Sequence, residues 1–172
     1  MDLIALLDKG PGADADAVAA LLAERPMAAR VAIKNGDLPL HIACGNGAPL
    51  AVVRAVLDAH PDAVREKNFG GKLPLNFACA HFEGAIPAVA ELLLERHPKA
   101  AQEKDGSGLI PLLPAAFSAP APVVLALLAA WPEGAREKGI GGRSALHRTC
   151  DPLRRRRSRY VRARRSIPRG RP

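Results

Sequence analysis

The chain has 172 residues, enough for one ordinary domain, and is 48% apolar but only 3% aromatic. A core of Ala, Leu and Val suits close-packed short helices and argues against a β-sandwich or a large catalytic fold. The net charge of +8 is segregated: residues 1–150 carry 15 Lys/Arg against 16 Asp/Glu, whereas 151–172 carry ten Arg against one Asp, so any argument about polyanions concerns the tail alone.

In chain order, the first expected helices cover 2–8 and 14–24. Asp14, Asp16, Glu24 and Arg25 give the second a polar exterior, as a terminal unit needs. Then comes Gly36-Asp37-Leu38-Pro39-Leu40-His41-Ile42-Ala43-Cys44. Pro39 suits the first position of a helix, where its missing N–H is harmless. Leu40, Ala43 and Cys44 form an apolar stripe at helical spacing, and Gly45-Asn46-Gly47 breaks the helix. A second helix over 49–59 buries Val52, Val53, Val56 and Leu57, and His60-Pro61 ends it.

The same phrase returns as Gly71-Lys72-Leu73-Pro74-Leu75-Asn76-Phe77-Ala78-Cys79, predicting helices over 74–80 and 86–96. A degraded form, Gly108-Leu109-Ile110-Pro111-Leu112-Leu113-Pro114-Ala115-Ala116, predicts helices over 111–117 and 122–131. In the first of these Pro114 falls at the fourth helical position, so that helix is expected to be short or distorted. The phrase starts once more as Gly142-Arg143-Ser144-Ala145-Leu146-His147-Arg148-Thr149-Cys150. Pro26, Pro61, Pro98 and Pro132 keep step with it, at spacings of 35, 37 and 34 residues. Counting back through Pro26 aligns Leu22 with Leu57 and Gly12 with Gly47. A fixed period of this size predicts an all-α stack of helix pairs over 1–150, with units near 1–35, 36–70, 71–107, 108–141 and a partial 142–150. After Cys150 the chain has too few apolar residues for the missing outer helix. Residues 151–172 therefore read as a disordered Arg-rich tail, or as the product of a truncated or mis-assigned reading frame.

The Pro-Leu-His-x-Ala-Cys phrase, the Gly three residues later and the Val-Val-x-x-x-Leu helix resemble ankyrin repeats, over roughly 36–150. The resemblance implies a helix-turn-helix solenoid that binds protein partners through its hairpin-like tips and the concave face of its inner helices. It also implies that His41 and His147 hydrogen-bond between adjacent units. Two features depart from the family. Leu38, Leu73 and Ile110 stand where a capping Thr is usual, at a cost of about 1 kcal/mol each, and the units run slightly long.

The columns weigh against chemistry. Cys44, Cys79 and Cys150 share one column and read as buried packing residues that form no disulfide, because equivalent positions are separated by a whole unit. His60 and His97 share the pre-proline column and read as structural. Neither a CxxC pair, a Cys/His cluster nor a phosphate loop occurs, so an enzyme, a metal and a cofactor are not expected. Met1-Asp2 opens no secretory leader, and no stretch approaches the roughly 18 apolar residues that cross a bilayer. An intracellular protein, cytoplasmic or nuclear and without membrane insertion, is expected.

Function is then expected on the surface, toward an unidentified protein. Candidate contacts at the tips are Asn35, Asp37, Asn68, Phe69, Lys72, Ser107, Ile140 and Arg143; Phe69 and Ile140 either anchor a partner or fold back on their own unit. On the inner-helix side the candidates are Ile42, Asn46, Phe77, His81, Phe117 and Arg148. The column Arg65-Glu66-Lys67, Gln102-Glu103-Lys104, Arg136-Glu137-Lys138 is a solvated ladder or a row that orients a partner. A separate candidate is nucleic-acid binding or nuclear targeting by Arg154, Arg155, Arg156, Arg157, Arg159, Arg162, Arg164 and Arg165.

Overall fold

The computed structural model describes residues 2–80, 86–139, 142, 144 and 145. Within them the chain is all-helical: α1 (Leu3–Leu7), α2 (Ala15–Glu24), α3 (Pro39–Gly45), α4 (Leu50–Ala59), α5 (Pro74–Ala80), α6 (Pro87–Arg96), α7 (Leu112–Ser118) and α8 (Ala121–Ala130). The described residues contain no strand, and a single antiparallel bridge joins Lys138 to Ser144.

The helices lie in two rows. Inner helices α1, α3, α5 and α7 touch in succession, as do outer helices α2, α4, α6 and α8. Each inner helix also packs on the outer helix that follows it. A single core cluster runs from Leu3 to Ala145. Val52, Val53, Val56 and Leu57 of α4 are fully buried in it, as their spacing predicts.

Each outer helix ends two residues before a proline, and the chain continues as a 3-10 turn beginning on that proline: Pro26–Arg30, Pro61–Arg65, Pro98–Ala101 and Pro132–Arg136. Helical periodicity does not reach these short turns, and the sequence reading leaves them as plain connections.

Two local expectations are corrected. First, α7 is as long as α3 and α5. It begins at Leu112, so Pro114 is its third residue, where no helical N–H partner is needed. The carbonyl that a residue at 114 would have used, that of Ile110, takes the Leu113 N–H at 3.1 Å. Second, the glycine of the first turn that matches Gly47 (φ 68°) is Gly10 (φ 57°), not Gly12. The first turn carries an extra 3-10 segment, Gly10–Gly12, and a Cβ on Gly10 would lie 2.5 Å from the Asn46 carbonyl oxygen.

With leucine in place of Thr, no cap side chain bonds the first turn of α3, and the side-chain bond there runs the other way. Leu38 and Leu73 are buried where the cap would be. Their backbone N–H groups instead donate to His41 Nδ1 at 3.1 Å and Asn76 Oδ1 at 2.9 Å, each three residues on. This is the return half of a capping box.

Candidate functional site

The tips repeat one hairpin. Gly36, Gly71 and Gly108 donate to the carbonyls of Ile33, Asn68 and Asp105 at 2.8–2.9 Å, and Ile33, Asn68 and Asp105 donate to those of Asp37, Lys72 and Leu109 at 3.0 Å. The three glycines have φ near +70°, which a Cβ would strain. Asn68 Oδ1 accepts from the N–H groups of Gly70 and Lys72, and Asp105 Oδ1 from those of Ser107 and Leu109, so the side chains template the turns.

Neighbouring tips are tied backbone to backbone. The Phe69 N–H donates to the Asn35 carbonyl at 3.1 Å, and the Gly106 N–H to the Gly70 carbonyl at 2.8 Å. Asn68 Nδ2 donates to Asp37 Oδ1 at 2.6 Å. His41 adds a strut: its Nε2 meets the Lys72 carbonyl at 3.0 Å. Because its Nδ1 accepts from Leu38, the ring proton sits on Nε2. Burial pushes the His41 pKa below its ordinary value and outweighs the opposing pull of the Lys72 carbonyl, so the ring stays neutral.

Behind the tips runs the charge column, and it crosses between units. Lys67 Nζ meets Glu103 Oε2 at 2.8 Å and Lys104 Nζ meets Glu137 Oε2 at 3.2 Å. The pre-proline histidines join it: His60 Nε2 lies 3.0 Å from Glu66 and His97 Nε2 2.8 Å from Glu103. Burial pushes the Glu103 carboxyl up, but hydrogen bonds from Lys67 and His97 override it and hold the pKa below the usual carboxylate value. On His60 the other ring nitrogen, Nδ1, is buried without a hydrogen-bond partner.

Asn35, Lys72 and Ser107 are exposed on the tips, and Phe69 is 84% exposed. The Phe69 ring does not fold onto its own unit; it lies over Gly36 of the preceding tip. Asp37 and Asn68 are occupied with each other. On the inner-helix side Phe77 is half-buried, edge-on to His41 with ring centroids 5.4 Å apart. Ile42 is half-buried, and Asn46 reaches back to the Leu7 carbonyl and Asp8. Phe117 is 36% exposed. His81, Ile140, Arg143, Arg148, Cys150 and the tail arginines lie outside the described residues.

Cys44 and Cys79 are buried free thiols. Burial raises both, the thiol of Cys79 to about 12, so neither forms a thiolate at neutral pH. Among the described residues no cluster of three His, Cys, Asp or Glu could hold a metal, and no helix is long and apolar enough to cross a membrane. No family model and no curated protein matches the chain.

Proposed function

We propose that the chain is an ankyrin-type repeat protein and a non-catalytic protein-interaction module. Its partner docks on the row of tips and on the neighbouring face of the inner helices. The observation that carries this reading is Phe69. An aromatic side chain 84% exposed stands on a tip whose backbone is hydrogen-bonded to the tip before it, so the anchor is held in place before a partner arrives. Pre-organisation of this kind lowers the entropic cost of association, and exposed aromatics are the residues that dominate interfaces. Asn35, Lys72 and Ser107 supply a polar rim around it, and Phe77 continues the surface toward the inner helices.

The segregation of charge favours a second reading, in which the arginines of 151–172 bind nucleic acid or direct nuclear import. A pull-down separates the two, comparing the full chain, a chain ending at Cys150 and Phe69→Ala across a salt series. A repeat-surface partner survives the deletion, tolerates salt and is lost with Phe69→Ala. A polyanion vanishes with the tail and weakens steeply with salt. If every partner follows the tail, the interaction-module reading is wrong.

A further inference from the structure

The connections between units carry balanced charge, with one exception. Residues 60–71, 97–108 and 131–142 each hold two acidic and two basic residues, whereas 25–36 hold Arg25, Arg30 and Lys34 and no acid. All three cations are exposed, and none pairs with a carboxylate among the described residues. The same segment exposes apolar side chains where the next units are polar. Met27 is 66% exposed, Val31 63% and Ile33 38%. Their counterparts one unit on are Asp62, Glu66 and Asn68, and two units on Lys99, Glu103 and Asp105. Ala32 likewise stands in the column of Lys67 and Lys104, so the charge ladder does not reach the first unit. An end unit facing water gains nothing from apolar surface where its neighbours are charged.

The row of tips also opens here. Lys34 stands two residues before Gly36, as Phe69 stands before Gly71 and Gly106 before Gly108. The Phe69 and Gly106 N–H groups donate to the preceding tip, whereas the Lys34 N–H has no acceptor among the described residues. Val31, three residues earlier, has extended backbone at φ −81° and ψ 109°. Apolar side chains at 31 and 33 therefore flank an unfilled position in a ladder of backbone hydrogen bonds.

We infer that this edge binds an extended acidic segment of a partner protein. The segment's apolar side chains cover Met27, Val31 and Ile33, its carboxylates meet Arg25, Arg30 and Lys34, and one of its backbone carbonyls accepts from the Lys34 N–H. Adding an extended segment to an open edge draws affinity from main-chain bonds and specificity from alternate side chains. The unfilled backbone position calls for another backbone, and the three unpaired cations give its sign. A second copy fits poorly, because the antiparallel register that sets Val31 against Ile33 also sets Arg30 against Lys34. The edge is separate from the surface centred on Phe69, and the inference does not rest on that reading.

The full chain, isotope-labelled, is titrated with a synthetic heptapeptide alternating glutamate and valine, with its lysine–valine counterpart, and with phosphatidylserine vesicles. Binding is read by fluorescence polarisation of the peptides, by co-sedimentation with the vesicles and by amide resonances. The acidic peptide should shift the Val31, Ile33 and Lys34 amides, slow exchange of the Lys34 N–H, and bind at least about ten-fold more tightly than the basic one. Val31→Glu, which restores the residue of the other units, should weaken the acidic peptide by about ten-fold. It should leave the thermal melt unchanged, because the side chain is exposed. Phe69→Ala should leave this binding intact, which separates failure of the tip reading from failure of this one. Equal binding to wild type and Val31→Glu with the Lys34 amide unmoved would put the peptide elsewhere and overturn the inference. It is equally overturned if the acidic peptide fails to bind at millimolar concentration, if the basic peptide binds as well, if vesicles bind and peptide does not, or if Val31→Glu dissolves a dimer.

Discussion

Replacing His41 tests the packing between units most sharply. The side chain is fully buried and makes two hydrogen bonds, accepting from the Leu38 N–H at 3.1 Å and donating to the Lys72 carbonyl at 3.0 Å. His41→Ala leaves the buried Leu38 N–H without its partner, at about 1–3 kcal/mol, takes one of two donors from the Lys72 carbonyl, which keeps the Asn68 N–H, and removes the ring that packs against Phe77. The expected loss is about 3–5 kcal/mol. The chain contains its own control, because Asn76 in the next unit caps Leu73 in the same way at 2.9 Å. His41→Asn therefore restores the Leu38 bond and should lose only about 1–2 kcal/mol. The two variants also differ from wild type in pH dependence. Burial lowers the His41 pKa below 6.5, so as pH falls through that value the unfolded chain takes up the proton first. The neutral-histidine contribution is complete above the unfolded value and declines below it, with a slope of at most about 1.4 kcal/mol per pH unit. Urea unfolding followed by far-UV circular dichroism from pH 5 to 8 measures both effects. Equal losses in His41→Ala and His41→Asn, or a pH slope that survives His41→Asn unchanged, would refute the assignment of His41 as a neutral strut.

Gly36→Ala should destabilise the chain by about 1–2 kcal/mol, because φ is +76° and the new Cβ would lie 2.7 Å from Phe69 Cδ1; adding Phe69→Ala should recover the contact part and leave the backbone part, as read by thermal melts. Phe69→Ala alone should change stability by less than about 0.5 kcal/mol while abolishing capture of a tip-bound partner. Glu103→Gln should cost under about 1 kcal/mol at neutral pH, since the pair is near the surface. Because the Glu103 pKa is depressed, the carboxylate's contribution is present above its unfolded value and lost as pH falls through the folded one, so wild type and Glu103→Gln should converge in acid. Cys44 and Cys79 should react with a thiol reagent only on unfolding, and fast native-state labelling of either would contradict their burial.

The helix pairs were legible because their signals are local and repeated. Pro39 and Pro74 open α3 and α5 as read, and the Val-Val-x-x-x-Leu stripe of α4 is buried as spaced. Boundaries slipped by one residue where a proline precedes the helix: Pro49 and Pro111 are caps, not first residues. What the sequence did not disclose joins positions without shared periodicity. His60 and Glu66 are six residues apart across a proline turn, on no common helix face, and Lys67 meets Glu103 only once two units are stacked. The charge column and the histidine column were each visible, but nothing in their spacing links them. The bonds at the leucine caps were hidden too. Leucine there gives no sign that the next turn's His41 or Asn76 accepts from its own N–H. The fate of Phe69 depended on the preceding tip, where Gly36 leaves room for the ring.

Hydrogen exchange at two tip amides tests the central claim most directly, namely that successive tips form one pre-organised surface. Phe69 and Gly106 lie in exposed turns, yet their N–H groups donate to the Asn35 and Gly70 carbonyls of the preceding tips. The account predicts protection at both amides comparable to that in the α3 and α5 helices. Exchange at unprotected rates there, with the helices still protected, would mean that the tips move independently and that no ready-made docking row exists.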